Sequence, residues 1–182
     1  MIEDGEKMFA VGDTVMHSEF GICKVRDIKV FSFSWQKPMD FYVLTPLEDD
    51  GHGSTFYVAV EQSDCLRKPL TRDQILAMID AMPEITPLKI ETYGNRTQDV
   101  ESIKETYRTL MNSGNSRDWV ILLKTIYQKG QQLSSQRKRL SEFDTLARDI
   151  GERMLYGEIA GVMGIPVNQV EHFIARRIGK KE

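Results

Sequence analysis

Little in this chain suits secretion, membrane insertion or metal chemistry. Of its 182 residues only two are cysteine, three histidine and two tryptophan. Two cysteines are too few for a disulfide scaffold, and Cys23 and Cys65 are expected to be reduced, partly buried thiols, with a single disulfide as the alternative. No run of about 18 apolar residues is present, so no membrane span is expected. The opening Met1-Ile2-Glu3-Asp4-Gly5-Glu6 is acidic where a secretory signal is basic and then apolar, which predicts a cytoplasmic protein. His17, His52 and His172 lack partners at ligand spacing, so no metal site is expected, and Asp49-Asp50 with His52 looks like a solvated acidic turn. The glycines form no phosphate-binding loop, no nucleophile elbow and no dinucleotide fingerprint. No cofactor is expected, and the protein is expected not to be an enzyme.

A hydrophobic share of 41% beside 28% charged residues describes a soluble, globular chain. The net charge of −3 conceals an asymmetry. Residues 1–70 carry 7 Lys/Arg against 12 Asp/Glu, whereas residues 71–182 carry 17 against 15. Steering follows local charge, so the first part suits a protein partner and the second is the part that could meet nucleic acid.

Residues 9–67 alternate short β-forming runs with turn signals. Phe9-Ala10-Val11-Gly12-Asp13-Thr14-Val15 sets strand residues around a Gly-Asp turn, and Phe20-Gly21-Ile22-Cys23-Lys24-Val25 places a glycine at a close bend. Runs at Val11–His17, Ile22–Phe33, Phe41–Leu47, Thr55–Val60 and Cys65-Leu66 predict five short strands. The fold class is α+β: an N-terminal SH3/Tudor-like five-stranded β-barrel over residues 1–70, followed by an all-helical C-terminal domain over residues 71–182.

Beyond Pro69 the periodicity becomes helical. Thr71 is an N-cap signal, and Ile75, Leu76, Ile79 and Met82 recur at helical spacing, predicting a helix over 71–82. Pro83 to Arg96 reads as a connector. Helices are expected over 97–112, over 116–129 with Gly130 as the stop, over 141–163, and over 166–178 with Pro166 in the first turn. Trp119, spaced with Leu122, Leu123 and Ile126, is expected in a helical core.

The motif V-G-D-T-V-x-H-x-x-x-G-I-x-K-V resembles the RNA-polymerase-interacting domain of the CarD/CdnL transcription regulators, which is shared with transcription-repair coupling factors. Further landmarks occur in the family's order: Ser113-Gly114-Asn115, Lys124 with Tyr127, Arg137-Lys138-Arg139, Leu140-Ser141 and Gly157-Glu158-Ile159-Ala160. The resemblance implies a bacterial transcription regulator that binds the RNA polymerase β subunit through its barrel and contacts promoter DNA through its helices. Open-complex formation would be modulated. The protein is expected to be a monomer.

In the resembled family a barrel strand extends a sheet of the β subunit. This points to Val30, Phe31 and Phe33 on one strand and Phe56, Tyr57 and Val58 on another. Phe31 and Phe33 share a face, and barrel core is the competing role for each ring. Actinobacterial members place arginines where Phe31 and Tyr57 stand here, so a more apolar contact is expected. The candidate DNA-contacting residues are Arg96, Lys104, Arg108, Arg117, Lys124, Lys129, Arg137, Lys138 and Arg139; a solvated helix face and linker is the alternative role. Lys104 and Arg108 are four apart and share a helix face. The family's minor-groove tryptophan falls near Val100, where this chain has none, and Tyr93 is a possible substitute. As an alternative function, residues 158–174 resemble a helix-turn-helix of a sequence-specific DNA-binding protein, presenting Asn168, Gln169, Glu171 and His172 to base edges.

Overall fold

The structure is a computed structural model that describes residues 8–32, 37–47, 53–89 and 96–179, with Arg96 described for its backbone alone. Phe33, Asp49, Asp50, His52 and Tyr93, singled out by their sequence positions, lie outside the described residues. The chain forms two compact units, Met1–Pro69 and Leu70–Glu182.

The first unit is a five-stranded antiparallel sheet of β1 (Thr14–His17), β2 (Gly21–Phe31), β3 (Met39–Pro46), β4 (Phe56–Ala59) and β5 (Leu66–Arg67). Its spatial order is β4-β3-β2-β1-β5. The Gly-Asp signal makes a turn ahead of β1: Gly12 has φ +96°, the left-handed region that glycine tolerates, and its N–H donates to the Val25 carbonyl at 2.8 Å. The Ala10 N–H donates to Asp13 Oδ2 at 2.9 Å and the Asp13 N–H to the Ala10 carbonyl at 3.0 Å, closing the turn from both sides. β1 therefore begins at Thr14, three residues later than the β-forming run suggests.

Phe9, Val15, Cys23, Val25, Tyr42, Leu44, Val58 and Leu66 form the core of this unit. The Phe9 N–H donates to the buried Tyr42 hydroxyl at 3.2 Å. Both thiols are free, and burial pushes Cys23 up to about 12. The expected barrel is an open sheet among the described residues. β4 and β5 are its two ends and no ladder joins them. A six-residue 3₁₀ segment, Val60–Cys65, separates them, and a two-residue β5 offers little to pair. Side chains bridge part of the gap: Phe20, beside β1, stacks on Phe56 of β4 with centroids 3.7 Å apart and planes at 6°.

The second unit is helical: α1 (Arg72–Ala81), α2 (Arg96–Asn112), α3 (Ser116–Ser135), α4 (Glu142–Met163) and α5 (Val170–Ile178). Thr71 with Gln74, and Ser141 with Asp144, form reciprocal capping boxes that fix the starts of α1 and α4. Gly164 ends α4 at φ +68° with its N–H on the Ala160 carbonyl at 2.8 Å. Trp119 is fully buried, and its Nε1 donates to the Met111 carbonyl at 3.2 Å. Gly130 does not stop α3, which runs on to Ser135. A helix bears an interior glycine at a cost of about 1 kcal/mol; here the bare Cα faces the Leu140 side chain, 3.7 Å from where a Cβ would stand. The chain turns instead at Arg137, the one described non-glycine residue with positive φ, 56°.

Candidate functional site

Among the described residues β4 has a neighbour on one side only, β3, so alternate backbone N–H and C=O groups of Phe56–Ala59 point outward from the sheet. The distal half of β2 is similar. Its last β1 partner is at Lys24, and among the described residues Arg26–Phe31 pair only with β3. Among the described residues this unit therefore presents two strand rows without a ladder partner, one on each of the strands named from the sequence, with the Ile28 N–H of the second donating to Asp27 Oδ1 at 2.9 Å.

A bulge between Val25 and Asp27 inverts which β2 residues face the core. Residues opposite one another on a ladder share a face, so Lys29↔Phe41, Phe31↔Met39 and Val43↔Tyr57 place Phe31, Phe41 and Tyr57 together on the face away from Tyr42 and Leu44. Their rings touch: Phe31 meets Phe41 edge-on at 5.4 Å and Tyr57 edge-on at 5.6 Å. Tyr57 is 52% exposed, Val30 is 63% exposed, and Phe31 is half-buried. Phe56 and Val58 point the other way, into the core, where Val58 is buried and Phe56 stacks on Phe20. The six expected residues thus divide into the outward Phe31 and Tyr57, the core-facing Phe56 and Val58, the exposed Val30 at the strand end, and Phe33 outside the described residues.

The basic residues also divide. Lys124 Nζ donates to three carbonyls, those of Met82 at 2.8 Å, Pro83 at 3.2 Å and Ile85 at 2.5 Å, and so caps the chain leaving α1. An ammonium has three protons, and all three are engaged. Lys129 Nζ meets the buried Asp144 carboxylate at 2.6 Å. Burial pushes Asp144 up, but Lys129 and the Ser141 hydroxyl and N–H outweigh it and hold the carboxyl below its ordinary value. Neither lysine presents its charge to a partner in this arrangement.

Arg117, in the first turn of α3, and Arg137, just past its end, are separated by roughly 30 Å of helix axis, so the run does not make one patch. A different grouping arises instead. Lys104 and Arg108 on α2 lie 5.9 and 5.6 Å from the Phe143 ring centroid, at the start of α4. Arg137, Lys138 and Arg139 are exposed in the turn that leads into that same first turn of α4. Five cations therefore gather at the α3–α4 corner. Three exposed carboxylates share the region: Glu101 and Glu105, paired with Arg108 at 3.1 and 3.2 Å, and Glu142. Val100, at the expected wedge position near the start of α2, is 44% exposed.

Two residues with large structural roles carried no signal of those roles in the sequence. Glu158 is fully buried; its Oε1 accepts the Leu70 N–H at 2.9 Å and its Oε2 the Ser116 hydroxyl at 2.5 Å. It ties the approach to α1 and the start of α3 to α4. Arg177 binds Asp80 through two 2.7 Å hydrogen bonds, clamping α5 to α1. The four residues of the alternative helix-turn-helix, Asn168, Gln169, Glu171 and His172, are all exposed beyond the Gly164 turn. Among the described residues no group of three or more His, Cys, Asp or Glu is arranged to hold a metal, and no helix is long and apolar enough to cross a membrane.

The family model of the CarD-like/TRCF RID domain matches residues 9–70. No curated protein matches the chain.

Proposed function

Residues 9–70 are a CarD-like/TRCF RID domain, a domain of RNA polymerase interaction in transcription, and from that premise we propose that the chain docks on the polymerase β subunit by adding a strand to β4. The observation that carries this is the open β4 row beside the outward Phe31–Tyr57 pair. Main-chain hydrogen bonds along Phe56–Ala59 supply affinity, and the two rings select an apolar counterpart. The helical unit then meets promoter DNA through the α3–α4 corner, where Lys104, Arg108, Arg137, Lys138 and Arg139 give phosphate contacts without reading sequence. Preferential binding to one state of the promoter complex is enough to shift the closed-to-open equilibrium. The protein acts as a bacterial, cytoplasmic, monomeric regulator and catalyses no reaction.

Co-elution of the intact chain with the host's RNA polymerase, compared with the Phe31→Glu/Tyr57→Glu double variant, tests the docking. Loss in the variant, with an unchanged circular dichroism spectrum, is the expected result; retention by the variant contradicts it. The exposed Asn168, Gln169, Glu171 and His172 after a left-handed Gly164 favour the second reading, a sequence-specific helix-turn-helix. That reading predicts a base-dependent loss of DNA binding on Gln169→Ala, whereas the first predicts none.

A further inference from the structure

The helical unit contains a cavity of about 290 Å³ that the polymerase and DNA contacts leave unused, walled by Met82, Leu123, Tyr127, Leu155, Tyr156 and Ile174 among others. It is bounded by four parts of the fold: the 3₁₀ turn after α1, α3, α4 and α5. Its walls are almost wholly apolar, the character of a small-molecule site with a few fixed polar groups at its mouth. Those polar groups decide what kind of molecule it takes.

The Tyr127 hydroxyl donates to Glu152 Oε1 at 2.5 Å and lies 3.5 Å from the Tyr156 hydroxyl. Tyr127 is 42% exposed, so this cluster stands at the rim. The single Tyr127 proton is committed, while the Glu152 carboxylate, which has room for about four donors, has acceptor capacity left over. Glu171 adds a second negative charge acting on the Tyr156 hydroxyl. Arg148 is the nearby cation, and it divides itself between Asp149 at 2.9 Å and Glu152 at 3.8 Å. Lys124 also lines the cavity, but its three protons are all on the carbonyls of Met82, Pro83 and Ile85. An anion entering the cavity would find the Tyr156 hydroxyl as a donor, but the one cation among the described lining residues, Lys124, has no proton to spare. A cation would find the Glu152 carboxylate and two tyrosine faces.

We propose that this cavity binds a small amphipathic cation, a molecule with an apolar body of about ten non-hydrogen atoms and a protonated amine, the body between α3, α4 and α5 and the amine at Glu152. The volume sits at the lower end of ligand pockets, which sets that size. The Lys124–Tyr127 pair, one helical turn of α3, thereby acquires two separate roles: Lys124 builds the cavity wall by capping the chain after α1, and Tyr127 orients the carboxylate at its mouth.

The test is a methyl-resolved NMR titration of the full chain with three probes that share a phenylethyl body and differ in the group it carries: 2-phenylethylamine, 2-phenylethanol and 3-phenylpropionate. The expected result is saturable shifts at the methyls of Met82, Leu123, Leu155 and Ile174. The amine should bind at least threefold more tightly than the alcohol, with the propionate weakest. Glu152→Gln, which keeps an acceptor for Tyr127, should abolish the amine's advantage and leave the alcohol's affinity unchanged. The proposal is overturned by an absence of saturable shifts at those methyls, by equal binding of the three probes, by propionate binding as tightly as the amine, or by an amine preference that survives Glu152→Gln. None of these outcomes bears on polymerase docking, whose failure would show in co-elution instead.

Discussion

The two units handle polar groups in opposite ways. In the sheet unit the outward-facing feature is backbone: β4 leaves a row of N–H and C=O groups unpaired by any described strand, beside rings that turn away from the core. In the helical unit the backbone is largely satisfied within helices and caps, and what varies is where the long charged side chains go. Lys124 and Lys129 turn inward to carbonyls and to Asp144, whereas Arg137, Lys138 and Arg139 stay outside. A cation close to a binding partner in sequence can therefore be a structural cap in space. Counting charge along the chain overstates the cationic surface that the fold exposes.

Removing the inward lysine should break this contrast most sharply. Lys124→Met leaves the carbonyls of Met82, Pro83 and Ile85 without their shared donor and is expected to destabilise the helical unit by about 2–4 kcal/mol. Arg139→Met, a change of the same kind on the exposed turn, should shift the denaturation midpoint hardly at all. Equal effects of the two in urea melts would erase the distinction between inward and outward cations.

The outward residues should show the reverse pattern. Replacing Arg137, Lys138 and Arg139 together by Ala is expected to leave thermal stability and polymerase co-elution unchanged. It should lower the slope of log affinity for promoter duplex against log salt by about 2–3, as three lost phosphate contacts require. An unchanged slope, measured by fluorescence anisotropy between low and moderate salt, would remove the α3–α4 corner from the proposed DNA interface.

These contrasts also show what is legible in a sequence. The five β-forming runs and four of the five helix starts follow from local chemistry, because a Thr71 or Ser141 cap and the Gly12-Asp13 turn act on neighbours within a few residues. The end of α3 does not, since whether Gly130 stops a helix depends on Leu140 packing over it from beyond the turn. The open character of the sheet depends equally on distant facts, a two-residue β5 and a 3₁₀ corner. The outward place of Phe31 rests on a single bulge at Val25–Asp27, which no periodicity reveals because it breaks the periodicity. Glu158 reads in sequence as a surface carboxylate on a helix and is buried because Ser116 and the Leu70 N–H converge on it.

Ser116→Ala sharpens this last point at a smaller scale. It removes one donor from a buried carboxylate and should cost about 1–2 kcal/mol, read as a lower urea midpoint. The smallest effect lies in the sheet unit, at the turn between β1 and β2. His17 Nδ1 accepts the Glu19 N–H at 3.0 Å and the Phe20 N–H at 3.4 Å, an arrangement only the neutral ring allows. Burial lowers its pKa below 6.5, with Glu19 opposing. Because the folded value is the depressed one, the stabilisation is complete above about pH 6.5 and is lost as pH falls toward the folded value. His17→Asn should flatten the stability profile below about pH 6.5; a profile identical to that of the parent chain would show that the turn does not depend on the neutral ring.

The central claim, that the sheet unit docks on the polymerase β subunit along β4, is tested most directly by placing a photo-crosslinking phenylalanine analogue at Tyr57 in the full chain and irradiating it with the host's RNA polymerase, with the same analogue at His172 as the comparison. A crosslink from position 57 to the β subunit, absent from position 172, is the predicted result. Crosslinks from 57 to no subunit, or to a subunit other than β, would contradict the account.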